Sequence, residues 1–426
     1  MDHAITNEAP VETGAAPPGR ETLSARVASM GSSATIAMSQ RAAAMRSAGI
    51  DVITMSLGEP DFATPSRIVD AAHAAARSGF TRYTAADGAP VIKNAVRHKL
   101  KRDNHLDYAA AEIHVASGAK QVIHNAFAAT LNPGDEVVVF TPCWVSYMDI
   151  IAFCGGVPVE VPTSPANGFL PDINALRAAI TPRTKWLLLN SPNNPTGAVY
   201  PAAMLREMAA VLVDCPQVLV MADEIYEHLV YEPVVHVSIL DIAPHLRDRV
   251  LLVNGVSKTY SMTGWRIGFA AGPAWLVEAM GCVQSQTAGS SCSVAQAAAA
   301  EAMTGDQSEI ASWLQLFQRR RDRAMLVLAD SKRIRVTCPA GAFYLFVDLS
   351  PCIGARTVKG AVMRDDTALV EYLLHEAQVA AVPGVAFAMS PFVRLSFALD
   401  EARVEEGCRR IVAALDKLTL APGATA

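Results

Sequence analysis

Five places along this 426-residue chain combine residue types and spacing that could do chemistry. The segment NGVSK (254–258) follows the apolar run VLLV and ends on Lys258. A lysine at a strand terminus facing a crevice is desolvated, which lowers its pKa and frees an amine to condense with an aldehyde. Arg266, in MTGWRIG (262–268), offers a planar fork suited to a phosphate. Gly118, Ala119 and Lys120 sit between a strand and a helix, where free N–H groups and the positive helix end favour an anion. Asp223 and Tyr226, in DEIYEHL (223–229), follow the run QVLVM. A carboxylate buried there needs a cationic partner, and a protonated pyridine nitrogen is one. A helix cap would also account for Asp223.

The turn-rich segment NSPNNPTG (190–197) places the amide of Asn194 near a strand end, and PCWVSY (142–147) places Trp144 after another. Asn194 and Tyr226 could donate to a phenolic oxygen, and Trp144 could stack on an aromatic ring or simply fill the core. Arg394 lies within the apolar run FVRLSF (392–397) and needs an anion, either a bound carboxylate or an internal acid. Gly58, in GEPDF (58–62), would let a backbone N–H approach the same carboxylate.

The elements that must position these residues are legible in the pattern. From about residue 66 to 305, seven short β-rich runs (EIHVAS, EVVVF, VPVEVP, TKWLLLN, QVLVMAD, VLLVNG, WRIGFAAG) alternate with helical stretches. Several are continuously apolar, as in a parallel sheet covered on both faces. Ligands bind outside the carboxyl ends of such strands, where the candidate residues fall. After Gly305 a long helix and three further strand-like runs, IRVTCP, GAFYLFVDL and FVRLSFAL, indicate a second, α+β region. The expected division is a mobile arm over 1–26, an N-terminal part of a small domain over 27–65, a large domain over 66–305, and the rest of the small domain over 306–426. Arg319 to Arg321 are read as a solvated, ion-paired helix face.

With 51% hydrophobic and 18% charged residues and a net charge of −5, the chain reads as a well-packed enzyme without the basic stripe of a nucleic-acid binder. No metal-ligand spacing accompanies the eight cysteines, which are expected to be reduced and mostly buried. No apolar run is long enough to span a membrane and no signal core opens the chain, so a cytoplasmic location is expected.

In order, SATIA, GEPDF, GAKQ, NPGDEV, PCWVSY, NSPNNPTG, DEIYEHL, NGVSK, MTGWRIG, GAFY and VRLSFA resemble the motif series of fold-type I pyridoxal-phosphate (PLP) enzymes. The resemblance is to the class I aminotransferases, in the aspartate/prephenate subgroup, from about Arg26 to Leu415. It implies a mostly parallel seven-stranded sheet and a Schiff base between Lys258 and PLP. Asp223 would face the pyridine nitrogen, and Tyr226 and Asn194 the phenolic oxygen. Arg266, Ser257 and the Gly118 to Lys120 amides would hold the phosphate. Tyr83 would reach the phosphate of a neighbouring subunit in a homodimer with shared sites. Arg394, Gly58, Asn194 and Trp144 would contact the substrate, with Thr35 and Lys120 toward its distal group. The implied reaction is ping-pong transfer of an amino group between an amino acid, aspartate or glutamate or else prephenate/arogenate, and a 2-oxo acid. An aromatic aminotransferase or a carbon–sulfur lyase would use the same constellation. The chain departs from the subgroup pattern at Met-Gly-Ser before SAT, at Cys143, and in DGAPVIKNAV (87–96).

Overall fold

The computed structural model describes residues 22–28, 30 and 34–420. Backbone proximity separates Met1–Gly31 from Ser32–Ala426. In the first unit the described residues form one exposed helical turn, Ala25–Ala28. The arm expected over residues 1–26 lies, for its first 21 residues, outside the described residues.

The second unit contains β1 (Ile53–Thr54), β2 (Ile113–Ala116), β3 (Glu136–Thr141), β4 (Val157–Pro162), β5 (Thr184–Asn190), β6 (Leu219–Asp223) and β7 (Val250–Gly255). They are followed by β8 (Gly268–Ala271), β9 (Arg335–Val336), β10 (Tyr344–Asp348), β11 (Val379–Ala380), β12 (Val382–Pro383) and β13 (Phe392–Ser396). Seven form one sheet in the order β2-β8-β7-β6-β5-β3-β4, parallel except for β8, which runs against both neighbours. These are the seven runs expected from the apolar pattern.

Strand alternation explains why the central runs are apolar throughout. Leu187, Leu189, Val220, Ala222 and Leu252 enter the core on one face, with the helices Pro90–Asn104, Ala202–Val213 and Ser293–Thr304. Trp186, Leu188, Met221, Leu251 and Val253 enter the core on the other, with the helices Ala119–Thr130 and Ala274–Thr287. Both faces are covered, so neither parity can be polar. Trp186 is wholly buried and satisfies its indole N–H on Thr130 Oγ1 at 2.9 Å. The margin strand β4 differs: it is largely exposed and carries Pro158 and Pro162, which an edge tolerates and a centre does not.

The sheet β12-β13-β10-β9 is antiparallel throughout and packs with the helices Ser308–Leu328 and Glu401–Asp416. Ile53 and Met55 join this core, as do Tyr226 and Leu229 from the turn after β6. The pair β1-β11 is parallel and joins segments more than 300 residues apart.

Two expectations need correction. Arg319 is exposed and pairs with Glu401, but Arg320 and Arg321 are buried. Arg320 makes a two-pronged ion pair with Asp61, at 2.7 and 2.9 Å, and lies over Phe62. Arg321 lies over Tyr231 and donates to the Pro339 carbonyl at 3.1 Å. Asp61 and Phe62 cover Arg320, and Tyr231 with Pro339 covers Arg321, on a face that the helix alone would leave in water. Of the cysteines only Cys143, Cys352 and Cys408 are buried, and Cys282, Cys292 and Cys338 are exposed.

Candidate active site

The polar ends of β2, β3, β5, β6 and β7 open toward one cavity of about 300 Å³. It gathers Thr35, Gly58, Ala119, Lys120, Trp144, Asn194, Asp223, Tyr226, Ser257, Lys258, Arg266 and Arg394 from the residues singled out in the sequence. Gly118 borders it through its contact with Arg266. Tyr83 does not line it; its side chain is 99% exposed.

At the head of the helix Ala119–Thr130, Gly118 has φ 92°. A Cβ there would stand 2.2 Å from Arg266 Nη2, and one on Gly268 would stand 2.2 Å from Ala119 N. The glycines of GAKQ and MTGWRIG therefore permit one shared close approach. Arg266 itself has φ 57° and is held by the carbonyls of Thr263 at 2.9 Å and Ser117 at 3.3 Å. The Gly118 N–H already bonds the Ala116 carbonyl at 2.8 Å. Of the three amides expected to face an anion, Ala119 and Lys120 are the ones at the free helix start, and Gly118 supplies clearance.

Lys258 Nζ donates to the Gly58 carbonyl at 2.6 Å. Burial, reinforced by the positive charges of Arg394 and Arg266, lowers its pKa to about 8, against smaller opposing effects of Glu59 and Asp223. Asp223, closing β6, is raised to about 6 by burial. A hydrogen bond from Tyr147 Oη to its Oδ2, at 2.5 Å, acts the other way and favours the carboxylate. Its Oδ1 accepts from Ile225 N at 3.3 Å. Asp223 thus caps the turn through Oδ1 and also accepts from Tyr147 through Oδ2, and no ion pair among the described residues includes it.

Arg394 is 2% exposed and has no internal acid as its partner among the described residues. Its Nη atoms donate to Asn194 Oδ1 at 3.1 Å and the Ser56 carbonyl at 2.7 Å, and its Nε has no partner. The guanidinium lies 4.5 Å from the Tyr344 ring centre and 4.9 Å from that of Phe387. A buried cation held only by neutral groups retains capacity for an anion.

Three participants were missed in the sequence although each lies inside a quoted motif. Tyr147 bonds Asp223. Tyr344 shares a 2.8 Å hydrogen bond with Tyr226 and would collide with any Cβ on Gly58, at 2.5 Å. Asn190 donates to the Asp223 carbonyl at 3.0 Å and accepts from Asn194 N at 3.0 Å. Only Asn190, the polar residue that closes β5, carried a readable signal; Tyr344 opens β10 and Tyr147 lies in the helix after β3. Lys120 is exposed at the rim, its ammonium 5.0 Å from the centre of the Trp144 ring.

The pattern of the family described as aminotransferase class I and II matches residues 50–411, and the chain belongs to that family. It is an aminotransferase, built on the fold-type I architecture of PLP-dependent transferases. The aspartate/prephenate aminotransferase of Cereibacter sphaeroides is 47% identical over 391 residues, 92% of this chain and 98% of that one. The aspartate aminotransferase of Rhizobium meliloti is 46% identical, over 92% of this chain and 96% of its own length. A crystal structure of the Rhizobium meliloti aspartate aminotransferase superposes with a TM-score of 0.90 at 45% identity, covering 93% of this chain and 99% of that chain. That of Thermus thermophilus with maleate gives 0.85 at 41%, covering 92% and 99%.

Proposed function

We propose that the chain binds PLP on Lys258 and transfers amino groups between dicarboxylic amino acids and 2-oxo acids. The observation that carries this reading is the buried, acid-free guanidinium of Arg394 in the same cavity as the Lys258 amine. An α-amino acid presents a carboxylate to the first and its amino group to the region of the second.

Two features support PLP as the cofactor. Gly118 leaves a cradle that a Cβ would fill, walled by Arg266 and the helix start. Asp223 is buried and, among the described residues, forms no ion pair, which leaves it open to a pyridinium. When bound, PLP supplies an electron-withdrawing ring that stabilises negative charge at the substrate's α-carbon. Asp223 keeps the ring nitrogen protonated, and Tyr147 holds Asp223 in its charged form. Tyr226 and Asn194 would donate to the phenolic oxygen of PLP, Trp144 would pack against its ring, and Ser257 and Arg266 would hold its phosphate. The Lys258 amine, with a pKa near 8, is neutral in a useful fraction at neutral pH and takes and returns the α-proton. The Gly58 carbonyl, 2.6 Å away, orients that amine.

Lys120 and Thr35 stand at the cavity wall, toward the distal group of the substrate. Maleate, carried by the Thermus relative, is itself a dicarboxylate, in keeping with a cationic distal contact. Tyr83, fully exposed, is assigned to a partner's phosphate site in a homodimer. We assign residues 27–65 and 306–426 to a small domain, 66–305 to a large one, and the protein to the cytoplasm; no helix among the described residues is long and apolar enough to cross a membrane.

Steady-state assays of aspartate, glutamate, prephenate-derived and aromatic donors, each with 2-oxoglutarate and oxaloacetate, test the reading. Aspartate and glutamate are expected to give the highest kcat/KM. A preference for aromatic donors would overturn the dicarboxylic assignment, and release of pyruvate without any amino acceptor would point to a lyase.

A further inference from the structure

Behind the cavity lies a second cluster of buried polar groups that the reaction does not touch. Glu227 is 7% exposed and accepts from Lys99 Nζ and from Asn254 Nδ2, the latter at 2.6 Å, on one oxygen. Its other oxygen accepts from Asn104 Nδ2 at 2.7 Å. Lys99, 2% exposed, also donates to Asn104 Oδ1 at 2.7 Å and lies 3.7 Å from Asp103. The donor atoms of Glu224, Glu227 and His236 lie within 4.8 Å of one another, a spacing that could suit a metal ion. The Lys99 ammonium already supplies the positive charge on Glu227, and His236 stands 3.5 Å from Glu224. The cluster carries its own cations.

Its position gives it a different use. The register of β6 with β7 ends at the pair Asp223 and Val253. Beyond it the β6 chain leaves the sheet for the turn bearing Tyr226, while β7 stays paired with β8 through Gly255 before entering the turn bearing Lys258. Glu227 belongs to the first turn, and Asn254 lies near the end of β7, opposite Phe269 of β8 and four residues before Lys258. Asn254 Oδ1 also accepts from Gly255 N at 2.7 Å, so its side chain is fixed at both ends. The backbone tie nearby is Glu224 N to the Val253 carbonyl, at 2.9 Å.

Building on the assignment of Lys258 above, we infer that the Glu227–Asn254 bridge is a positioning device that sets the Lys258 turn against the Asp223–Tyr226 turn. Lys99 anchors it to the helix Pro90–Asn104. Displacement of a reacting group by about 1 Å can cost about 100-fold in rate, so a bridge one side chain from each turn has leverage on the chemistry. Lys258 feels the charges of Asp223, Glu59, Arg266 and Arg394, and a moved turn changes that field.

The test uses the holoenzyme. Asn254→Ser can still reach Gly255 N but not Glu227. It is expected to lower kcat about tenfold or more with KM within about twofold. The midpoint of the pH titration of the bound cofactor's visible absorption, read without substrate, should move by about half a unit or more. Wild-type kcat and an unmoved midpoint in the folded variant overturn the inference. If Asn254→Ser does not fold, the pair Asn254→Leu with Glu227→Met, which removes both ends of the bridge and leaves Lys99 with Asp103 and Asn104, is read the same way. If neither folds, the cluster is structural and the inference falls. Lys258→Ala measured alongside separates the two readings: unchanged visible absorption there defeats the Lys258 assignment whatever Asn254 does.

Discussion

Asp223 and Glu227 are buried carboxylates four residues apart on one turn, and they are treated in opposite ways. Burial raises Asp223 to about 6. Glu227 suffers a desolvation penalty too, yet Lys99 and His228 bring it down to about 2. The first is left without a cation and faces the cavity; the second is closed off by Lys99, Asn104 and Asn254. Arg394 repeats the first pattern with the opposite sign. In this protein, charge left unpaired marks the side that awaits a ligand, and charge fully paired marks the frame that holds it.

The largest effect should come from the cavity side. Lys258→Ala is expected to lower turnover at least about 1000-fold, because it removes both the covalent anchor and the proton carrier. Near-wild-type transamination by that variant, measured in a coupled assay, would break the site assignment.

Replacing each kind of charge by leucine sharpens the contrast next. Glu227→Leu removes the contact acid of the buried Lys99 ammonium, leaving it Asn104 and the longer approach to Asp103, and should destabilise the fold by about 3 kcal/mol in urea unfolding. Arg394→Leu removes a charge that the fold does not need, so stability should hold or rise by about 1 kcal/mol while activity is lost. Equal destabilisation by both would erase the distinction.

Protonation offers the same contrast without leucine. Glu227 has its pKa depressed by folding, so its stabilisation is present above about 4.5 and is lost as pH falls toward about 2. Asp223 is raised, from 3.8 to about 6; its charged form therefore opposes folding above pH 6, and the penalty fades as pH falls from 6 toward 3.8. In protein freed of cofactor, Asp223→Asn should stabilise at pH 7 to 8 by up to about 3 kcal/mol and have little effect at pH 4. A pH-independent effect would place the cause in packing.

Lys120→Ala is the mildest. The backbone at the helix start survives, so kcat/KM for aspartate or glutamate should fall by about 2 kcal/mol, the range of one charge-assisted hydrogen bond, and that for an aromatic donor should change little. Equal loss for both donor types would remove Lys120 from the distal contact.

The sequence carried the seven strands of the large sheet because each is a short β-rich run, the central ones apolar on both parities, a signal contained within a few residues. It could not carry β1, β11 or β12. Each is two residues long, and β1 and β11 gain their hydrogen bonds only from one another across more than 300 residues. The same limit explains Arg320, whose partner Asp61 stands 259 residues earlier and turns a helix face from solvated to buried. In the site, Lys258, Asp223 and Arg266 were visible as polar residues at or beyond the ends of apolar runs. Tyr147, Tyr344 and Asn190 were not assigned, since a tyrosine or asparagine in a motif shows its role only when its hydrogen-bond partner is in place. The sequence left Arg394 open between two kinds of anion, and the structure shows no internal acid paired with it among the described residues.

The prolines of β4 bear on how this protein behaves in concentrated solution. Pro158 and Pro162 are four residues apart, so both remove donors from the same side of the margin strand. An incoming strand that tried to extend the sheet past β4 would find its acceptors unmatched. Fibre-like growth from that margin is thereby discouraged, and the sheet keeps a fixed width however crowded the solution becomes.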